Sequence, residues 1–214
     1  TMEDARALAQ SLSRTANAAG CKTSAVITSM DQPLAPALGN ALEVDEVMKV
    51  LTGAAEGPLF DISVVLGGVV LADAGLAKDA GEGAARVAEA IRSGRAAERF
   101  GRMVAAMGGP LGFVDDWSRY LPEAPVIREV PAPKAGHVAA MGGEALGLAV
   151  VNLGGGRLVE SDQVDPAVGI GGLLPLGAKV AKGQPLARIH ASREDKAEEA
   201  AQAVLNAVKI TAKP

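Results

Sequence analysis

LAPALGNALEVDEVMKVLTG, residues 34–53, runs an apolar, proline-containing loop straight into an acidic helix. Pro36 has no N–H and cannot join a regular ladder, so the carbonyls of Leu34 and Ala37 must find partners outside one. The apolar spacing predicts a helix over about residues 43–51, closed by Gly53, which places Glu46 one turn into it. Two readings stand open. One is a plain turn before an amphipathic helix. The other is a cation site, in which loop carbonyls and one carboxylate give a monovalent ion several oxygens while the site stays near neutral. The residues alone favour the plain turn.

Working outward, TMEDARALAQSLSRTANAAG predicts a first helix. Thr1 caps it with Asp4 at N3, and Ala5, Leu8, Ala9, Leu12 and Ala16 share a face. Gly20 suits the position after its end. CKTSAVITS is short and β-branched and predicts a strand. Pro58 opens a mostly apolar helix to about Ala74, read as buried. Two amphipathic helices follow, one with Val87 and Ile91 and one with Phe100, Met103 and Met107. A strand followed by many helices fits the tail of an α/β domain.

Four prolines between Pro122 and Pro133 mark a boundary. Beyond it, short apolar strands alternate with glycine turns, and a short helix over 144–152 ends in Gly154-Gly155-Gly156. The segment 192–210 predicts a final helix, with Ser192 and Asp195 as its cap box and Ala197, Ala201, Val204, Leu205 and Val208 as its apolar stripe. The expected organisation is a partial α/β domain over 1–122 and a β-rich module with a terminal helix over 123–214.

Composition narrows the functions. A chain of 214 residues with 49% apolar content can fill a core, and its formal charge of −4 has no long run of either sign. A nucleic-acid or anionic-membrane surface is therefore not its main partner. Cys21 is the single cysteine, which excludes an internal disulfide and points to a reducing cytoplasm. The longest apolar run, 62–72, is too short to span a bilayer. A start at Thr1 before Met2 suggests a piece of a longer polypeptide.

Other chemistry-bearing residues read as structural. Gly154 to Arg157 follow a helix and serve as its end, not as a phosphate cradle. His137 and His190 sit in strand contexts without ligand spacing, and Cys21 reads as a buried, inert thiol. Arg92, Arg95, Arg99 and Arg102 read as a solvated face. VAKGQPLARIHAS, 180–192, predicts a strand–turn–strand bending at Lys182-Gly183, like the hairpin of lipoyl- and biotinyl-carrier modules. Met141 is followed by Gly142-Gly143, so the carrier's modifiable lysine is missing. A non-catalytic carrier or interaction module is the rival reading.

Five segments in order, MDQPLAPALGNALEVDEVMKVLTG, RFGRMVAAMGGP, ALGLAVVNLGGGR, SDQVDPAVGI and GQPLARIHA, resemble the thymidine phosphorylase and pyrimidine-nucleoside phosphorylase family. The resemblance covers essentially the whole chain and corresponds to the C-terminal half of such an enzyme. It implies an α/β fold: the C-terminal part of a mixed-sheet phosphorylase domain, then a small β-rich, barrel-sandwich-like module and a terminal helix. A third reading, an anthranilate-phosphoribosyltransferase-like protein, lacks that module. The implied reaction is phosphorolysis of a pyrimidine (deoxy)nucleoside by phosphate in a cytoplasmic homodimer, with no organic cofactor. The resemblance also implies a partial potassium site, with the carbonyls of Leu34 and Ala37 and the side chain of Glu46 as ligands and the rest of the shell expected before Thr1, and so shifts the reading of this loop from turn to cation site. The family's phosphate- and base-binding residues match nothing in this sequence. No catalytic or substrate-binding residue is therefore expected, and the chain alone is expected to be inactive.

Overall fold

The chain's opening residues fix the start of α1 (Met2–Ala18). The Thr1 hydroxyl accepts from the Asp4 N–H at 3.2 Å while the Asp4 carboxylate accepts from the Thr1 amino group, a closed capping box. At the other end Gly20 takes φ +84°, and the N–H groups of Gly20 and Cys21 donate to Asn17 and Ala16. The computed structural model describes residues 1–212 and divides into two compact units.

The first unit combines Thr1–Ser29 with Val50–Arg99. Its centre is the pair α3 (Pro58–Asp73) and α4 (Ala80–Arg92), which approach through glycines. A Cβ on Gly68 would lie 2.5 Å from the Ala80 carbonyl, and one on Gly83 would lie 2.4 Å from the Gly68 carbonyl. The fully buried apolar cluster is small: Val50, Phe60 and Ile91. Two expectations are corrected here. The apolar helix is not buried, since Val65, Leu66 and Val70 stand exposed, Val70 at 64%; α4 covers only its glycine face. Cys21 is exposed just past the helix end, where the Thr23 hydroxyl lies 3.7 Å from its Sγ.

CKTSAVITS is also corrected. It runs extended, but no strand among the described residues pairs with it. Asn17 ties down its start, accepting from the Thr23 N–H at 3.2 Å and donating to the Thr23 carbonyl at 2.8 Å. The Ser24 hydroxyl donates to Asp73 at 2.7 Å. β-branched residues give the extended conformation, yet a ladder needs a neighbour.

The second unit combines Met30–Lys49 with the chain from Phe100 on. Helix α2 (Asn40–Leu51) starts three residues earlier than the spacing predicts, because Glu43 caps it by accepting from the Gly39 N–H at 3.0 Å. Helix α5 (Arg95–Ala106) leads to a short α6 (Trp117–Tyr120), where the rings of Phe100, Phe113 and Tyr120 meet at 6.2 Å centroid spacing. Then come β1 (Val126–Pro131), β2 (Gly136–Met141), α7 (Gly143–Val150) running into a π-turn (Val151–Gly155), β3 (Gly169–Gly171), β4 (Lys179–Val180), β5 (Pro185–Ala191), α8 (Glu194–Ala207) and β6 (Val208–Thr211).

These strands form two antiparallel three-stranded sheets, ordered β1-β5-β3 and β4-β2-β6. Leu146, Ile170, Leu186, Ile189, Val138, Val180 and Val204 fill one continuous core between the sheets and α7 and α8. The sheets do not close into a barrel. The expected hairpin over 180–192 is not one, because β4 and β5 belong to different sheets, and Gly183 at φ +83° turns the chain between them. The final helix begins after Arg193, and Asp195 chelates that guanidinium at 2.9 and 3.0 Å instead of pairing with Ser192. Ala197, Ala201 and Val204 are buried as the stripe predicts, and Val208 opens β6.

Candidate functional site

The loop before α2 is sewn to the edge of the first sheet. Leu38 and Ile170 exchange both backbone hydrogen bonds at 2.8 Å, and the Leu173 N–H donates to the Pro36 carbonyl at 2.9 Å. Such a close approach needs two glycines face to face. A Cβ on Gly39, at φ +131°, would lie 2.5 Å from the Val168 carbonyl, and one on Gly169 would lie 2.2 Å from the Leu38 carbonyl. In an extended segment alternate residues turn their polar groups to opposite sides. With Pro36 and Leu38 aimed at β3, the Ala37 carbonyl points away from it. Ala37 is only 5% exposed, and no donor among the described residues reaches its carbonyl or that of Leu34. Leu34 itself is 49% exposed. An acceptor without a protein donor is open to water or to a single contact with a cation, and the Glu46 carboxylate turns to Lys49 and not to this loop.

The carboxylates divide the work. Glu43, not Glu46, reaches back to the loop, through Gly39. Glu46, the seventh residue of α2 with its side chain 18% exposed, accepts from Lys49 Nζ at Oε1, 2.7 Å away. Lys49 also pairs with Asp45 Oδ2 at 2.8 Å, and Asp45 Oδ1 accepts from the Trp117 indole N–H at 2.8 Å. Asp45 and Glu46 lie four and three residues before Lys49, the spacing and polarity that suit helical ion pairs. Burial alone would raise the Asp45 pKa, but hydrogen bonds from Lys49 and Trp117 hold it below the usual carboxylate range. Burial would likewise depress Lys49, but its two carboxylate partners raise it instead.

Sequence reading singled out Leu34, Ala37 and Glu46 but passed over Lys49, Asp45 and Trp117. The i+3 and i+4 spacings to Lys49 were visible in the sequence. The Trp117 contact, spanning 72 positions, was not. His137 and His190 lie in β2 and β5 as expected, and no group of three His, Cys, Asp or Glu among the described residues could hold a metal. Gly154 takes φ +100° within the π-turn. Arg92 pairs with Glu56 and covers the Phe60 ring, and Arg95 pairs with Glu89, so both belong to a salt-bridged surface.

The chain is a mixed α/β protein whose C-terminal part carries two small antiparallel sheets. Residues 1–97 match the family model described as glycosyl transferase family, a/b domain, and residues 137–211 match the pyrimidine nucleoside phosphorylase C-terminal domain. The chain is 44% identical over 205 residues to the thymidine phosphorylase of Agrobacterium fabrum, covering 95% of this chain and 47% of that protein. It is 44% identical over 199 residues to the thymidine phosphorylase of Rhizobium meliloti, covering 92% of this chain and 45% of that protein. The chain belongs to the thymidine/pyrimidine-nucleoside phosphorylase family. It spans about half the length of the curated relatives it matches. No helix among the described residues is long and apolar enough to cross a membrane.

Proposed function

We propose that this chain is the C-terminal part of a cytoplasmic, homodimeric thymidine (pyrimidine-nucleoside) phosphorylase. The observation that carries this reading is 44% identity along 95% of the chain to a protein named thymidine phosphorylase. In the reaction a phosphate oxygen bonds to C1′ of the nucleoside as the C1′–N bond breaks. The electron pair leaves with the pyrimidine, which is then protonated, and 2-deoxyribose 1-phosphate remains. Such a step needs an oriented phosphate and a stabilised leaving base. This chain contributes scaffold, and the groups that hold phosphate and base come from polypeptide outside it. The extended segment 21–29, with which no strand among the described residues pairs, supports that division.

The same reading assigns residues 1–122 to the α/β domain and 123–214 to a barrel-sandwich-like C-terminal module, a division that the two family spans support. Potassium is assigned to the carbonyls of Leu34 and Ala37 and to Glu46, whose Oε2 is the oxygen not engaged by Lys49. When bound there, the ion supplies fixed positive charge that braces the loop against α2. No observation favours the carrier reading.

The test is complementation. The 214-residue chain mixed with a polypeptide comprising the N-terminal half of the Agrobacterium fabrum relative should release thymine from thymidine and phosphate. Stable association of the two pieces without any turnover would contradict the assignment.

A further inference from the structure

The extended segment 21–29 has a helix layer on each of its faces. Val26 lines a groove with Leu66 and Val70 of α3, whereas Ala25 and Ile27 line a second groove with Ala9 and Ser13 of α1. The polar side chains keep the same alternation. Lys22 lies 3.5 Å from Asp73 of α3, and the Ser24 hydroxyl donates to that carboxylate at 2.7 Å. Successive side chains that reach opposite layers mark a strand from a sheet covered on both sides. What the segment lacks is a neighbour in its own plane. Among the described residues, no backbone hydrogen bond involves Ala25, Val26, Ile27 or Thr28. TSAVITS, 23–29, also has no charge and no proline, the usual guards of a free edge.

Both helix layers keep apolar surface unmet. No residue of α1 is buried, and Leu8 and Leu12 of its apolar stripe are each 61% exposed. On α3, Leu66 and Val70 stand exposed at the groove itself. A helix laid in these grooves would cover side chains but leave the N–H and C=O groups of 25–28 unanswered; a strand answers both. We propose that residues 24–28, with the facing sides of α1 and α3, form a docking surface for a β-strand that is apolar on both faces. Its source is polypeptide of the same protein outside these 214 residues. The chain covers 47% of its Agrobacterium fabrum relative, which leaves more than half of such a protein to supply the strand. This rests on reading the chain as the C-terminal part of a phosphorylase, and adds to that reading the surface and the chemistry by which the remainder attaches.

The experiment co-expresses the full 214-residue chain with the N-terminal half of the Agrobacterium fabrum relative. Association is read by copurification and by the dissociation constant of the pair, and thymine release is read separately. Val26→Pro and Ile27→Pro each remove one N–H, from opposite edges of the segment, and Val70→Lys sets a charge in the α3 groove. Val159→Lys, at an exposed position outside both grooves, is the control. All four replace exposed residues, so the variant chains by themselves should melt like the parent. The expected result is about tenfold weaker association for Val70→Lys and for at least one proline variant, with Val159→Lys like the parent. Association that Val70→Lys leaves untouched, or that both proline variants leave untouched, would overturn the docking surface, and thymine release by the same pair would leave the proposed function standing. Association weakened as expected but without turnover would uphold the surface and contradict the proposed function. The docking surface is also overturned by an equal loss in Val159→Lys, by no association of the parent chain, or by a homodimer of the chain that the proline variants dissolve.

Discussion

At the scale of single residues, the two glycines that let the loop touch β3 are the least replaceable positions. Gly39→Ala would put a Cβ 2.5 Å from the Val168 carbonyl on a backbone at φ +131°. It should cost about 3 kcal/mol in urea denaturation, since neither backbone can retreat without breaking the Leu38–Ile170 bridge. His190 offers a second test. Burial lowers its pKa from the ordinary 6.5, helped by Arg188 and opposed by Glu123. The unfolded chain therefore binds this proton more readily than the folded one, so stability is full above about pH 6.5 and declines as pH falls toward the folded value. Melting curves at pH 7.5 and 5.5 should show that decline, and His190→Asn should flatten the part of it that His190 causes. Residue-scale legibility was uneven for a physical reason. The Thr1–Asp4 box and Gly20 are local devices, readable within a few positions. Asp195 was read as pairing with Ser192 but found the stronger partner, the Arg193 guanidinium, two residues away.

Elements were legible where periodicity governs them and obscure where a neighbour does. Helices α3, α4 and α5 stand where apolar spacing and punctuating glycines place them. The length of α3 was clear, but its exposure was not, because composition cannot say which faces acquire a partner. The reading of 180–192 as a hairpin failed since sequence proximity does not decide whether two strands share a sheet. Gly68→Leu should separate α3 from α4: the smallest side chain already collides with the Ala80 carbonyl, and a lowered melting temperature together with lost helical signal would register it. Residues 24–28 should show the opposite of a core strand. In the purified chain their amides should exchange with deuterium at nearly unprotected rates, and should gain protection once an N-terminal half is added. Slow exchange in the chain by itself would mean that the segment is already paired.

At the scale of the molecule, two compact units alternate along one chain, and the loop bearing Leu34 and Ala37 belongs with the β-rich one. That grouping was not legible, because it depends on the Leu38 bridge to Ile170, formed across more than half of the sequence. What could be read was the family, from five short segments spread along the chain, and with it the expectation that scaffold and chemistry are carried by different stretches of polypeptide. Under the proposed function, the chain is scaffold for a pocket whose reacting groups are supplied by other polypeptide. Incubating the purified 214-residue chain with thymidine and inorganic phosphate and following free thymine by chromatography tests this directly. The account predicts no thymine above the enzyme-free blank at any potassium concentration. Thymine and 2-deoxyribose 1-phosphate released in equal amounts would contradict it.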